Sequence, residues 1–294
     1  MTIVTIRHVT TYKYKQAVAF GAHRMMLRPR DDRDQKILEA GIRISPEPVD
    51  LKWKRDQFGN HVAMARFDGR SEELRFEGTS RLDQTSAFLR NSDISGFAQI
   101  FPFAYPAHLR LRLSPFMASC PVHPRLDQWA RGFLRRDGMT QIYDLLTDLT
   151  RNIYTSFLHF ARHEKGTQDP LHTLATGRGS CRDHAVFLIA VLRSLGLAAR
   201  FVSGYLEIPD DQEDCEGGNT HAWVQVYVPG PGWVDLDPSN GIVGNRHHVR
   251  VAVVAEPSDA IPLQGTWYGE QSDHHYMTVM VKVRSEPEFG AICA

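Results

Sequence analysis

The sequence predicts an antiparallel β domain followed by an α+β domain, and three observations carry that reading. Polar and apolar side chains alternate with a period of two through much of the first hundred residues. A helical period takes over at residues 142–153. Past Gly196, behind an unbroken apolar run, strand composition returns. Within the first region Tyr12 and Tyr14 alternate with Thr11, Lys13 and Lys15, and Ile42 and Ile44 flank Arg43. Leu51 and Trp53 alternate with lysines, and Leu74 and Phe76 with Glu73, Arg75 and Glu77. Such strands keep one wet face, as antiparallel sheets and sandwiches do. Turn signals at Phe58-Gly59-Asn60 and Asp68-Gly69 separate them.

The expected division is a β-rich, sandwich-like N-terminal domain over 1–115 and an α+β domain over 116–294. Residues 91–124 hold Pro102, Pro106, Pro115, Pro121 and Pro124 among aromatics without periodicity, and read as the crossing. Ile142, Leu145, Leu146, Leu149 and Ile153 then mark one face of a helix. A Gly-rich turn, Gly177-Arg178-Gly179-Ser180, leads into Cys181 and the apolar run 185–192, which predicts a buried helix stopped by Gly196. Strands are expected at 200–208, 223–228, 233–237 and 276–283, with Pro229-Gly230-Pro231-Gly232 as the turn of a hairpin.

Composition narrows the function classes. Among 294 residues, 34 Lys+Arg balance 34 Asp+Glu, and a net charge of +0 argues against a nucleic-acid binder. No apolar stretch approaches the roughly 20 residues of a membrane helix. No secretory leader is visible at the start, so a cytoplasmic location with no membrane partner is the expectation. The four cysteines, Cys120, Cys181, Cys215 and Cys293, are scattered and form no CxxC pair, against both a disulfide framework and a zinc cluster. Cys215 with His221 is the nearest approach to a zinc site. The acidic run 210–216 lacks the alternating pattern of a calcium loop and reads as solvated. No cofactor and no metal are expected.

One constellation carries chemistry. Cys181 stands where a helix begins, and unpaired N–H groups together with the helix dipole favour its thiolate there. His221 follows forty residues later at the start of a strand, and Asp237 closes the next strand. A hairpin of these strands places His221 beside a carboxylate at its end, giving nucleophile, base and orienting group. Spacing alone permits this trio without selecting it. It also leaves two carboxylates open, because Asp235 and Asp237 share one face of a strand. Asp183 reads as a carboxylate capping the first turn of the Cys181 helix. The histidine pairs 247–248 and 274–275 read as surface residues.

The ordered phrases Gly-Arg-Gly-Ser-Cys181-Arg-Asp-His, Leu192-Arg-Ser-Leu-Gly-Leu-Ala-Ala-Arg-Phe-Val-Ser-Gly-Tyr205, His221-Ala-Trp and Trp233-Val-Asp-Leu-Asp237-Pro resemble the bacterial transglutaminase-like superfamily over residues 140–240. Arg24-Met-Met-Leu-Arg-Pro-Arg30 and Asp56-Gln-Phe-Gly-Asn60 resemble the β-rich region that precedes this core in one bacterial branch. The resemblance implies a papain-like core with Cys181 as nucleophile, His221 as base then acid and Asp237 as orienting carboxylate. The Cys181 N–H would form part of the oxyanion hole, with a second donor sought near Tyr154. Two features depart from the pattern: His184 replaces an aromatic apolar residue, and 255–260 differs from the usual phrase. The implied activity is acyl transfer on a peptide or protein substrate through a thioester. Hydrolysis is favoured because animal-type flanking immunoglobulin-like domains are lacking. Transamidation to an amine is the alternative, and a non-catalytic interaction module is the rival from another class. Oligomeric state is left open.

Overall fold

The computed structural model describes residues 2–117, 123–136, 138–162, 164–206, 220–245 and 248–287. Cys120, Cys215, Cys293, His247 and the acidic run 210–216 lie outside the described residues.

Five strands open the fold: β1 (Thr2–Met25), β2 (Gln35–Ser45), β3 (Asp50–Arg55), β4 (His61–Arg66) and β5 (Arg70–Gln84). They form an antiparallel sheet in the order β2-β5-β1-β4-β3. β1 is 24 residues long and serves as its spine. Alternate residues of β5 are buried, among them Leu74, Phe76 and Leu82, which explains the period-two pattern of its sequence.

The proline-rich crossing is more structured than its sequence suggests. It holds single 3₁₀ turns at Asn91–Asp93 and Gly96–Ala98, the short β6 (Ile100–Phe101) and α1 (Ala107–Met117). Pro115 lies within that helix. No apolar stripe marks α1, since only Leu113 and Phe116 are buried, and this is why periodicity missed it.

Next come α2 (Pro124–Arg131), β7 (Thr140–Gln141) and α3 (Ile142–Ser156), then β8 (Leu158–His159), α4 (Pro170–Thr176), β9 (Arg178–Gly179) and α5 (Cys181–Ser194). The stripe predicted on α3 is its buried face. α4 ends on Gly177, whose left-handed φ of 61° turns the chain into the segment before Cys181. Gly196, with φ 80°, closes α5 as expected.

The second sheet comprises β10 (Ala199–Leu206), β11 (Thr220–Val228), β12 (Gly232–Asp237), β13 (Ile242–Val243) and β14 (His248–Val254), ordered β13-β12-β11-β10-β14. Helix α5 covers one face, packing Ala185, Leu188 and Leu192 into a core with Phe201, Val224, Val226 and Leu236. The predicted hairpin is present, with Val226 opposite Val234.

The chain ends by returning to its beginning. β15 (Leu263–Tyr268) and β16 (His274–Pro287) both pair with β1, and β16 runs beside Thr2–Tyr14. The expected boundary at 115/116 placed this segment with the second domain, whereas its strands complete the first sheet. Ladder hydrogen bonds along the free edge of β1 decide its place, and no sequence pattern announces such a long-range pairing.

The two sheets are joined along β14. Val249 and Val251 pack with Tyr205 against Val4, Ile6, Leu82, Val281 and Val283. The outer edge of β14 is closed by side-chain amides of the first domain. Asn60 donates to the Val253 carbonyl at 2.8 Å and accepts from its N–H at 2.9 Å. Gln35 donates to the Arg250 carbonyl and accepts from its N–H, each at 2.9 Å. Gln84 donates to the His248 carbonyl at 2.6 Å. A sheet edge thereby finds its partners without a sixth strand. Asn60 is fully buried, so Asn60→Ala strands two backbone groups of β14. The expected loss is about 1–3 kcal/mol for each group left unpaired. Urea unfolding checks it, and an unchanged midpoint would mean that the edge is held by apolar packing alone.

Candidate active site

Cys181 is the first residue of α5 and Ser180 its N-cap. The Asp183 carboxylate turns back to accept from the Ser180 N–H at 2.9 Å and hydroxyl at 2.7 Å. It also accepts from Arg162 at 2.9 Å and from the Gln168 side chain at 3.0 Å. Burial alone would raise its pKa, but these donors hold Asp183 well below the usual carboxylate range. It is thus the fixed anion that locks the turn before the cysteine, the capping role its position predicts.

On the sheet, His221 Nε2 lies 2.8 Å from Asp237 Oδ2. Cys181 and His221 interact, and that interaction acts to lower the thiol and to raise the imidazole. The three residues expected to act together are therefore brought together. Burial works against both ions, lowering the His221 pKa and raising that of the thiol. The Asp237 charge and hydrogen bond reverse the first effect and lift His221 to about 10. Hydrogen bonds from His159 and His221, the His221 charge and the Ala222 N–H reverse the second and bring Cys181 down to about 6. Both shifts favour the thiolate–imidazolium form of the pair.

Asp235 and Asp237, alike in periodicity, part company in space. Asp235 accepts from the Trp223 indole at 2.7 Å and from Arg250 at 2.7 Å. Arg250 also contacts Asp32 at 3.2 Å and Asp34. Asp235 thus belongs to the junction between the sheets. Asp237 accepts from His221, from the Ser239 and Asn240 N–H groups at 3.0 and 3.2 Å, and from the Asn240 amide at 2.7 Å.

A fifth donor to Asp237 escaped the sequence reading. His248, read as a surface residue, is fully buried, and its Nε2 lies 2.8 Å from Asp237 Oδ2. A β-bulge brings it there. Ser203 pairs with Ala252 but Gly204 with Arg250, so Val251 is an extra residue. After it, Arg250 and His248 turn toward the face that carries Trp223, Asp235 and Asp237. Gly204 is required at this point, because a Cβ there would strike the Val249 carbonyl.

His159 is the second residue that spacing could not find. It lies on β8, which runs parallel to β9 immediately before Cys181, and it is among the groups that lower the thiol. Tyr154, where a second donor was sought, is exposed and packs its ring against Gly241. His184 is buried beside Phe157 and His159, and burial lowers its pKa to about 4.

The donor atoms of His221, Asp237 and His248 lie within 4.8 Å of one another, a set able to hold a metal ion. In this structure Asp237 Oδ2 receives both imidazoles and the Asn240 amide. Cys215, which with His221 is the nearest approach to a zinc site in the sequence, lies outside the described residues.

Comparison with known proteins agrees with this architecture. Residues 4–83 match the bacterial transglutaminase-like N-terminal region, and residues 129–238 match the transglutaminase-like superfamily. The chain belongs to that superfamily, a family of cysteine-based enzymes. An uncharacterized protein of Mycobacterium tuberculosis is 27% identical over 290 residues, 95% of this chain and 91% of that protein. An uncharacterized protein of Mycobacterium leprae is 36% identical over 109 residues, 36% of this chain and 37% of that protein. A solved structure from Cytophaga hutchinsonii, described as a candidate cysteine protease, superposes with a TM-score of 0.72 at 17% identity. It covers 98% of this chain and 92% of its own, and shares the fold.

The thiol pKa sets a measurable expectation. Iodoacetamide modification of Cys181 should accelerate through pH 6 and level off by neutrality, since the thiolate is the reacting form. In Asp237→Asn the imidazolium loses its counter-ion, and the rise should move toward the ordinary thiol range. Mass-spectrometric rates across pH decide it; a rise near pH 8.5 in the unaltered protein would exclude the ion pair.

Proposed function

We propose that the protein is a cysteine acyl-transfer enzyme that hydrolyses a peptide or amide bond in a peptide or protein substrate. The observation that carries the reading is the convergence of Cys181, His221 and Asp237: His221 is hydrogen-bonded to Asp237 at 2.8 Å, and its charge lowers the Cys181 thiol. The thiolate sulfur attacks the carbonyl carbon, and the carbonyl π pair moves to oxygen. Collapse of the tetrahedral intermediate expels the amine, which takes its proton from His221, and leaves a thioester on Cys181. Asp237 holds the ring through its Nε2 throughout.

Water is the acyl acceptor in this reading, for a physical reason. Among the described residues, Tyr154, Leu158 and His159 beside the site are exposed, so water reaches the thioester. A transamidase must keep water out for an amine to compete.

A burst of p-nitrophenol from p-nitrophenyl acetate, equal to one per chain, is expected from acylation of Cys181. Cys181→Ala should abolish the burst, and a burst that survives would refute the nucleophile. Asp237→Asn should lower the acylation rate about 10⁴-fold by releasing the histidine's orientation. Peptide-library turnover with and without a primary amine then separates the acceptors. Products carrying the amine in place of a free carboxylate would make the enzyme a transamidase.

A further inference from the structure

β2 and β3 are the outer strands of the order β2-β5-β1-β4-β3. Yet Ala40, Gly41 and Ile42 of β2 and Trp53 of β3 line one open cavity of about 110 Å³, together with Leu27 and Arg28. The first sheet therefore curls until its two outer strands face each other across a seam. Trp53 and Leu51 lie opposite Ala63 and Ala65, and cross-strand partners share a face. Ala63 and Ala65 are fully buried in the core of this domain, whereas Trp53 and Leu51 are 41% and 37% exposed. The core face is thus left uncovered where β3 meets the seam. Arg28 stands there, its guanidinium 5.9 Å from the centre of the Trp53 ring and its Nε buried without a partner. Elsewhere on this sheet Arg7 and Arg75 pair with Glu77, and Lys13 with Glu73. Among the described residues no carboxylate pairs with Arg28 or with Arg55, which donates to the Gly59 carbonyl at 3.2 Å. His61, opposite Arg55, also keeps a buried Nε2 without a partner. Burial lowers the His61 pKa, and the charges of Arg55, Arg28 and Arg30 lower it further against the pull of Asp31. Positive charge is gathered beside an apolar opening.

We propose that this seam is a docking groove for an extended acidic segment of another protein, which adds as a strand to the outer edge of β3. Edge pairing supplies main-chain hydrogen bonds, and alternate side chains supply the selection. One row of the segment's side chains enters the cavity against Trp53 and Ile42 and brings a carboxylate to Arg28. A buried donor without an acceptor is costly, and a carboxylate oxygen removes that cost with a charge-assisted bond. The other row meets Lys52 and Lys54, which project from the opposite face of β3. Charge decides the occupant. Across Asp50–Arg55 the strand holds Lys52, Lys54 and Arg55 against Asp50 alone, and Asp50 is 3.3 Å from Lys52. A second copy paired there would set these cations against one another, the usual use of lysine on an edge strand. An acidic strand is drawn in by the same charges. β2 is the poorer edge, because its register shifts between Ile37 and Glu39 and Glu39 repels the segment. The inference concerns the first domain alone and holds whatever Cys181 does.

Fluorescence anisotropy of a labelled, end-blocked octapeptide of alternating valine and glutamate tests this. The protein is the full chain carrying Cys181→Ala, so that no turnover consumes the probe. The peptide should bind saturably, one per chain, and its valine–lysine counterpart about 10-fold more weakly or worse. Arg28→Met and Trp53→Ala should each weaken binding about 10-fold. Arg110→Met, which removes an equal charge from an exposed position on α1, should leave it unchanged. Lys54→Glu should lower the affinity for the glutamate peptide and raise that for the lysine peptide. Lys54 is exposed, so this reversal still decides the matter if circular dichroism shows Arg28→Met or Trp53→Ala to be misfolded. Absence of saturable binding would overturn the proposal. So would equal affinity for the two peptides, or equal losses in Arg28→Met and Arg110→Met. A dimer in sedimentation that Trp53→Ala dissociates would give the seam to a second copy and overturn it as well.

Discussion

The Asp237 carboxylate is the group around which the second half of this molecule is arranged. It is 1% exposed, and an anion removed from water to that degree costs several kcal/mol unless donors replace the solvent. Five do, and they come from three places in the chain: His221 at the start of β11, the turn at Ser239 and Asn240, and His248 at the start of β14. Bringing them together requires the strand order β12-β11-β10-β14, a sharp turn after Pro238 and a bulge in β14. The charge so stabilised then acts outward. It raises His221, and His221 in turn lowers Cys181. A thiolate at the end of α5 is therefore the last link of a chain that begins with a buried anion on the sheet.

The first domain enters this chain through β14. An edge strand buried on both faces needs partners for its outer N–H and C=O groups, and Asn60, Gln35 and Gln84 supply them. The strand held in this way carries His248 to Asp237 and Arg250 to Asp235. Arg250 is buried among Asp235, Asp34 and Asp32, whose charges outweigh the burial that would otherwise disfavour the guanidinium. Such a cluster contributes orientation more than net stability, because each buried charge has lost its hydration. The N-terminal sheet is thus a structural part of the site, acting through β14. The return of β15 and β16 to β1 ties both ends of the chain to the same scaffold.

Elements with a strong period were legible in the sequence, and those held by distant partners were not. The α3 stripe, the apolar α5 helix and the β11–β12 hairpin each bury a face that the sequence displays. Cys181 was readable because a cysteine at a helix start behind glycines has a chemical reason to be there. Selection of Asp237 over Asp235 came from resemblance, since both project from one face of β12. His248 was hidden by its neighbours: a histidine ahead of a valine-rich run looks like a strand's exposed first residue. Only the bulge at Val251, invisible locally, points it inward. His159 was hidden by distance, because its relation to Cys181 runs through a two-residue parallel pairing that has no sequence signature.

The two carboxylates of β12 show why that selection has physical content. Asp235 is matched by Arg250, a permanent cation at 2.7 Å, and its negative charge is spent within the junction between the sheets. Among the described residues, Asp237 has no guanidinium or ammonium partner. Its donors are backbone N–H groups, a side-chain amide and two imidazoles. Amide and N–H dipoles stabilise an anion without cancelling its net charge, so that charge remains available to His221. Moving Arg250 from one carboxylate to the other would leave every strand in place and remove the field on which the thiolate depends. The distinction between a structural and a functional aspartate, two residues apart and equally buried, lies in whether its partners neutralise it or only solvate it.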